Sequence, residues 1–267
     1  MCFGRDFRLR QHDTPEKARG GGIAGAFVAG GARVYIASRS DLASSAIELA
    51  EYGPGECTAL RADLAKDDDI ARLADELRER EGRLDILVNN AALGNLIHKF
   101  EEFVMADYDT MVAVNLRAPF ALTKACLPLL TIAGTADAHA SVINIVSVDG
   151  MRIAGDNDWA YGLSKAGLIH LTRQLAGREG AKHGRDGGRH ITYNAIAPGP
   201  FPGMLDRYLE TEEGRDAIGA VTVSGRVGRP EDIGAACIYL ASRAGSYVTG
   251  AVLPVDGGLL VGTKANS

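Results

Sequence analysis

The chain is poor in the features that mark metal centres, disulfide scaffolds and nucleic-acid surfaces. Only four of its 267 residues are cysteine, Cys2, Cys57, Cys126 and Cys237, and they are widely scattered. No Cys-x-x-Cys pair occurs, and the six histidines show no zinc-ligand spacing. Free thiols in a reducing compartment are expected, with no metal site. A basic excess is also missing: 29 Lys and Arg stand against 34 Asp and Glu, a net charge of −5. That balance argues against a nucleic-acid or anionic-membrane surface. The longest small-and-apolar run, Ile23 to Ala32, is far shorter than the roughly 20 residues of a bilayer span. The opening Met1-Cys-Phe-Gly-Arg-Asp has neither the basic start nor the apolar core of a signal peptide. A cytoplasmic enzyme or binding protein is the expectation.

What is present is a regular alternation. The chain is 46% hydrophobic and 24% charged, ordinary for a globular protein, and long enough for one large α/β domain. Apolar runs at Arg33–Ser38, Cys57–Leu60, Leu84–Val88, Ser141–Val146, Ile191–Ile196 and Val252–Val255 read as strands. Between them, helical periodicity predicts helices over Asp41–Glu51, Asp67–Arg80, Ala106–Leu130, Trp159–Arg178 and Pro230–Ser242. Buried strands alternating with helices argue for a parallel sheet between two helix layers, a doubly wound α/β fold. Such sheets bind ligands at the carboxyl ends of their strands, here just after Ser38, Asp63, Asn90, Ser147 and Pro198. Gly177 to Arg189, dense in glycine and charge, reads as a surface loop.

The first chemical candidate is Tyr161-Gly-Leu-Ser-Lys165. Four residues apart on a helix, Tyr161 and Lys165 lie on one face. A free phenol, with a pKa of roughly 10, is a poor base at neutral pH. A neighbouring ammonium favours the phenolate and makes Tyr161 a possible proton shuttle. The spacing alone is equally that of a packed Tyr beside a solvated Lys. Context adds Ser147 at the end of an apolar strand and Asn115 inside the long helix, where a buried amide needs hydrogen-bond partners.

Asn89-Asn-Ala-Ala92, Asn115, Ser147, Tyr161-x-x-x-Lys165, Asn194-Ala-Ile-Ala-Pro-Gly199 and Val255-Asp-Gly-Gly258 together resemble the short-chain dehydrogenase/reductase family, over roughly residues 23 to 260. The resemblance implies a Rossmann-type sheet and hydride transfer between a nicotinamide cofactor and a carbonyl or alcohol. It implies Tyr161 as acid/base, Ser147 holding the substrate oxygen, Lys165 binding the nicotinamide ribose and tuning Tyr161, and Asn115 anchoring a water in the proton relay. It places Asp63 by the adenine, Asn90 by the adenosine ribose, and Pro198 and Gly199 beside the nicotinamide, with Leu64 and Ala91 also among the cofactor-binding residues. It also implies a homo-oligomer, commonly a tetramer, joined through the helices of Asn115 and Tyr161 and the C-terminal segment.

Cofactor choice is read at the end of the Arg33–Ser38 strand. An acid there accepts from the ribose 2′-hydroxyl of NAD, whereas an Arg suits the 2′-phosphate of NADP. The strand ends Ser38-Arg39, with Asp41 the nearest acid, so Arg39 favours NADP(H). The alternative is a solvated Arg39 paired with Asp41. Pro198-Gly-Pro-Phe-Pro202 and Ser224-Gly-Arg-Val-Gly-Arg-Pro-Glu-Asp232 look like the bacterial 3-oxoacyl-thioester reductase branch. Met204, Leu205, Tyr208 and Leu209 between them form either an apolar lid over an acyl chain or an ordinary packed helix. Gly203 stands where the family often has a Ser or Thr.

The N-terminus departs from the family pattern. Residues 1–22 contain no Val or Ile and a single Leu, so nothing there reads as the central first strand, and they form an atypical segment ahead of a single domain over 23–267. Gly20-Gly-Gly22-Ile-Ala-Gly25 matches Gly-x-Gly-x-x-Gly, but it follows a hydrophilic stretch and stands too close to Arg33 for a crossover. Ile23–Gly31 reads instead as the second half of the first helix, with Gly25 on its surface. Either residues 1–22 replace the authentic strand and loop, or cofactor binding is weakened, or Phe3–Leu9 supplies a substitute strand. A non-catalytic scaffold that keeps the fold without the cofactor is the competing function.

Overall fold

The computed structural model describes residues 2–3, 19–94, 99–153, 159–180, 190–203 and 209–262. Seven parallel strands form one sheet: β1 Cys2–Phe3, β2 Arg33–Ser38, β3 Glu56–Arg61, β4 Ile86–Asn89, β5 Ala140–Ile145, β6 Ile191–Pro198 and β7 Val252–Val255. Their order across the sheet is β3-β2-β1-β4-β5-β6-β7. The order reverses between β1 and β4, the switch point at which such sheets open a ligand crevice.

The helices are α1 Arg19–Ala29, α2 Ala43–Ala50, α3 Asp67–Glu81, α4 Met105–Val112, α5 Ala118–Ala133, α6 Trp159–Arg178, α7 Glu212–Gly219 and α8 Pro230–Ala241. Strand residues alternate between the two layers as the pleat requires. Tyr35, Ala37, Leu87 and Val142 face the core beneath α3 and α5, while Val34, Ile36, Val88, Ile143 and Ile145 face the core beneath α1, α2 and α8. Both faces are covered, which is why these strands read as continuous apolar runs rather than as alternation.

Two expectations about the N-terminal region are corrected. The central strand exists: Cys2 and Phe3 pair with Ile36 and Ala37 on one side and with Val88 and Asn89 on the other. It escaped notice because residues 1–22 hold no Val or Ile and a single Leu. The first helix runs Arg19–Ala29, with Ile23 inside it, and Gly25 is buried against the Tyr52 ring rather than on the surface. Gly20-Gly-Gly22 thus lies inside α1. A Cβ on Gly22 would stand 2.4 Å from Pro230 Cβ, and one on Gly234 would stand 2.8 Å from the Gly22 carbonyl oxygen. These glycines let α1 and α8 cross closely, a packing role. Met105–Ala133 has the length and apolar composition of a membrane span, yet Leu122, Cys126, Leu129 and Leu130 are buried in the core of the sheet layers.

The start of α8 is held electrostatically. Asp232 accepts from the Arg229 backbone N–H at 2.8 Å and pairs through both oxygens with Arg226, at 2.6 and 3.1 Å. The Arg226 hydrogen bond is the larger cause holding its carboxyl below the ordinary range, opposed by burial. Asp232→Ala is expected to lower stability by about 1 kcal/mol, mostly from the lost cap, since the half-exposed ion pair is screened. A depressed carboxyl stabilises above the unfolded-state range and loses that contribution as pH falls through its folded-state value. Denaturant titrations of both proteins should therefore differ at neutral pH and converge in acid.

Candidate active site

The residues singled out by sequence come together along one edge. From β3 across to β6, the carboxyl ends present Asp63 and Leu64, then Arg39, then Asn90 and Ala91 beyond β1, then Ser147, then Pro198 and Gly199. Tyr161 and Lys165 approach the β5 end from α6.

Their alignment rests on a close backbone crossing. The turn Val148–Gly150 follows Ser147 and packs on α6. A Cβ on Gly150 would stand 2.8 Å from the Lys165 carbonyl carbon, and one on Gly162 would stand 3.0 Å from the Asp149 carbonyl oxygen. Both glycines therefore press the Ser147 turn against the Tyr161–Lys165 segment. Sequence reasoning passed over them; their signal is glycine placed just after a strand end and inside a helix, where it otherwise costs stability. Ser147 Oγ accepts from the Asp149 N–H at 3.2 Å, fixing the turn.

Tyr161 and Lys165 are both buried, Lys165 to 1% exposure. The Lys165 ammonium donates to the Ile145 carbonyl oxygen at 2.8 Å and lies 5.7 Å from the Tyr161 ring centroid. That carbonyl, the last of β5, ties the ammonium to the strand end that carries Ser147.

Asn115, fully buried, occupies a π-helical turn over Ala113–Arg117 between α4 and α5. Pro119 explains the turn, because it has no N–H to give the Asn115 carbonyl four residues back. The carboxamide grips the segment after β4: Oδ1 accepts from Leu93 N–H at 2.7 Å, and Nδ2 donates to the Leu93 carbonyl at 2.9 Å and to Ser164 Oγ at 3.0 Å. Ser164 in turn donates to the Tyr161 carbonyl at 2.7 Å. Ser164, missed from sequence, thus links Asn115 to the backbone of Tyr161.

Several motif residues prove structural. Asn89 and Asn144 bond across β4 and β5 at 2.8 Å, and Asn144 reaches Thr172 of α6 at 2.9 Å. Asn194 donates to the Val248 carbonyl and accepts from the Ala251 N–H, binding β6 to the approach of β7. Gly199 must be glycine because a Cβ would stand 2.8 Å from Asp256 Cα. Gly203 has φ +110°, so a Ser or Thr there would be strained. Cys126 and Cys237 are buried free thiols, and burial pushes Cys126 up to about 12. Among the described residues no cluster of metal-ligating side chains occurs. Met204, Leu205 and Tyr208 lie outside the described residues, as does most of the Gly177–Arg189 loop.

A model of the family described as Enoyl-(Acyl carrier protein) reductase matches residues 17–260. A rhamnolipid-biosynthesis 3-oxoacyl-[acyl-carrier-protein] reductase of Pseudomonas aeruginosa is 39% identical over 239 residues, covering 88% of this chain and 90% of that protein. The chain belongs to the short-chain dehydrogenase/reductase family. It is accordingly an oxidoreductase of the nicotinamide-dependent kind. A sorbitol dehydrogenase of Cereibacter sphaeroides is 34% identical, covering 90% of this chain and 93% of that one. Among solved structures, an RhlG/NADP active-site complex of Pseudomonas aeruginosa superposes with TM-score 0.84 at 36% identity, over 96% of this chain and 95% of that one.

The residues of this chain fit a dinucleotide at both of its ends. Asn90 is only 9% exposed, stands at the switch point, and its carboxamide makes no hydrogen bond among the described residues, as a ribose-binding amide would before meeting its ligand. At the other end, Lys165 and Tyr161 share a buried face beside Ser147. Between these ends, Gly22 packs on Pro230 of α8 and Gly25 on the Tyr52 ring, both inside α1.

Gly150→Ala is expected to lift the 148–150 turn from α6 and shift Ser147 relative to Tyr161. Turnover should fall roughly ten- to hundredfold while dinucleotide affinity stays close to wild type, as read by steady-state kinetics alongside fluorescence titration.

Proposed function

We propose that this chain is an NADP(H)-dependent ketoreductase or alcohol dehydrogenase in which Ser147, Tyr161 and Lys165 carry the proton chemistry. The observation that carries the reading is the buried Tyr161–Lys165 pair, held against the Ser147 turn by Gly150 and Gly162. When bound, the nicotinamide gives hydride to a carbonyl carbon, or takes it from a secondary alcohol. Ser147 Oγ donates a hydrogen bond to the substrate oxygen. Tyr161 delivers its phenolic proton to that oxygen in reduction and recovers it in oxidation. The Lys165 ammonium stabilises the phenolate left behind and holds the nicotinamide ribose. Asn115 acts through Leu93 and Ser164 to steady both sides of the site, and anchors a water in the proton relay.

The 2′-phosphate reading rests on Arg39, exposed immediately after β2, and on Asp41, whose carboxylate accepts from the Ala43 N–H at 2.9 Å at the start of α2. An Asp at position 38 would repel the phosphate; Ser38 does not. A 3-oxoacyl thioester is the favoured substrate class, supported by the similarity to the Pseudomonas aeruginosa reductase. Assembly into a homo-oligomer is supported by the exposed apolar residues Phe120, Ile132 and Leu163 on α5 and α6.

Tyr161→Phe is expected to retain dinucleotide binding and lose at least about 100-fold in turnover. In the wild-type protein, fluorescence titration should give saturable binding with NADPH preferred over NADH. A folded protein that binds neither would be a scaffold, and the catalytic assignment would fall.

A further inference from the structure

Positive charge at the carboxyl ends of β2 and β3 exceeds what Arg39 supplies. Arg61, the last residue of β3, stands opposite Ser38 in the β2–β3 register. Adjacent strands lie about 5 Å apart, so Arg61 and the Ser38–Arg39 turn share one corner of the sheet. Arg61 Nε donates to the Arg39 carbonyl oxygen at 3.1 Å, which draws the guanidinium towards that turn. Its backbone is fixed as well: the Arg61 carbonyl accepts from Arg72 Nη2 at 2.8 Å, and the next residue, Ala62, donates to the Ser38 carbonyl at 2.9 Å.

Among the described residues, the two terminal amines of Arg61 have neither a hydrogen bond nor an ion pair. The neighbouring carboxylates are engaged elsewhere. Asp69 holds Arg72 and the Asp63 N–H, Asp63 accepts from the Ala65 N–H, Asp41 accepts from the Ala43 N–H, and Asp67 pairs with Arg117. A guanidinium anchored through Nε with its Nη face open suits a phosphate dianion, which it can meet with two parallel N–H donors. A ribose hydroxyl offers no such partner.

We infer that Arg61 is a second guanidinium for the adenosine 2′-phosphate, a specificity-determining residue on β3 that acts with Arg39 on β2. The inference rests on the NADP(H) reading and extends it to a residue outside the β2 end. Both arginines are exposed, so their contribution is screened by salt and falls as ionic strength rises.

The test is calorimetric titration of the full chain with adenosine 2′,5′-bisphosphate and with 5′-AMP, in wild type, Arg61→Met, Arg61→Lys and Arg39→Met. Wild type should bind the bisphosphate more tightly. Arg61→Met should lose about five- to tenfold on the bisphosphate and nothing on 5′-AMP, with Arg61→Lys in between. An unchanged bisphosphate preference in Arg61→Met, while Arg39→Met loses it, overturns the role of Arg61 and leaves the cofactor reading standing. Equal weakening of both nucleotides in Arg61→Met marks a structural residue and also overturns it. A wild type that does not distinguish the two nucleotides overturns both readings.

Discussion

The ammonium of Lys165 sets the terms for the rest of the site. At 1% exposure it is withdrawn from water, a cost on the order of several kcal/mol that only close polar partners offset. The Ile145 carbonyl at the end of β5 is one such partner. Reaching it requires α6 to sit directly over the strand end, and that requires the Ser147 turn to pass α6 with no side chain between them. Gly150 and Gly162 follow from this demand, and so does the proximity of Ser147 to Tyr161. Burying one charge therefore orders three elements at once.

The alternation of strand and helix was legible because helices cover both faces of the sheet. Every internal strand is then apolar on both sides, and the pattern survives in composition alone. Trp159–Arg178 agrees with its sequence-derived limits, and Asp67–Glu81 differs by one residue at its end. What escaped was whatever has no period. The described residues of β1, Cys2 and Phe3, stand in a stretch with no Val or Ile, so no strand signal marked it. The π turn at Asn115 interrupts a helix without breaking its apolar face, although Pro119 carried the signal in its missing N–H. Glycines were the hardest to read, since the same residue serves a phosphate loop, a helix crossing or a positive φ. Gly22 looked like the first and serves the second; Gly203 serves the third.

Two departures from the family pattern acquire physical reasons. The hydroxyl missing at position 203 goes with a backbone turned into the left-handed region, where the hydroxyl-bearing residues are disfavoured. Within α1, Gly22 answers to Pro230 and Gly234 on α8, and Gly25 to the Tyr52 ring.

The central place of β1 bears on how the domain holds together. Within the sheet, the pair β3-β2 and the group β4-β5-β6-β7 meet at β1, whose described residues Cys2 and Phe3 mark the seam between the two halves. Helix packing, α1 on α8 and α3 on α5, adds to the sheet in holding the domain together. The site lies across this seam, with Arg39 and Asp63 on one side and Asn90, Ser147 and Lys165 on the other. A ligand reaching from one side to the other acts as a cross-brace, binding the folded sheet and not the unfolded chain. Cofactor concentration then becomes a term in the stability of the fold, by mass action.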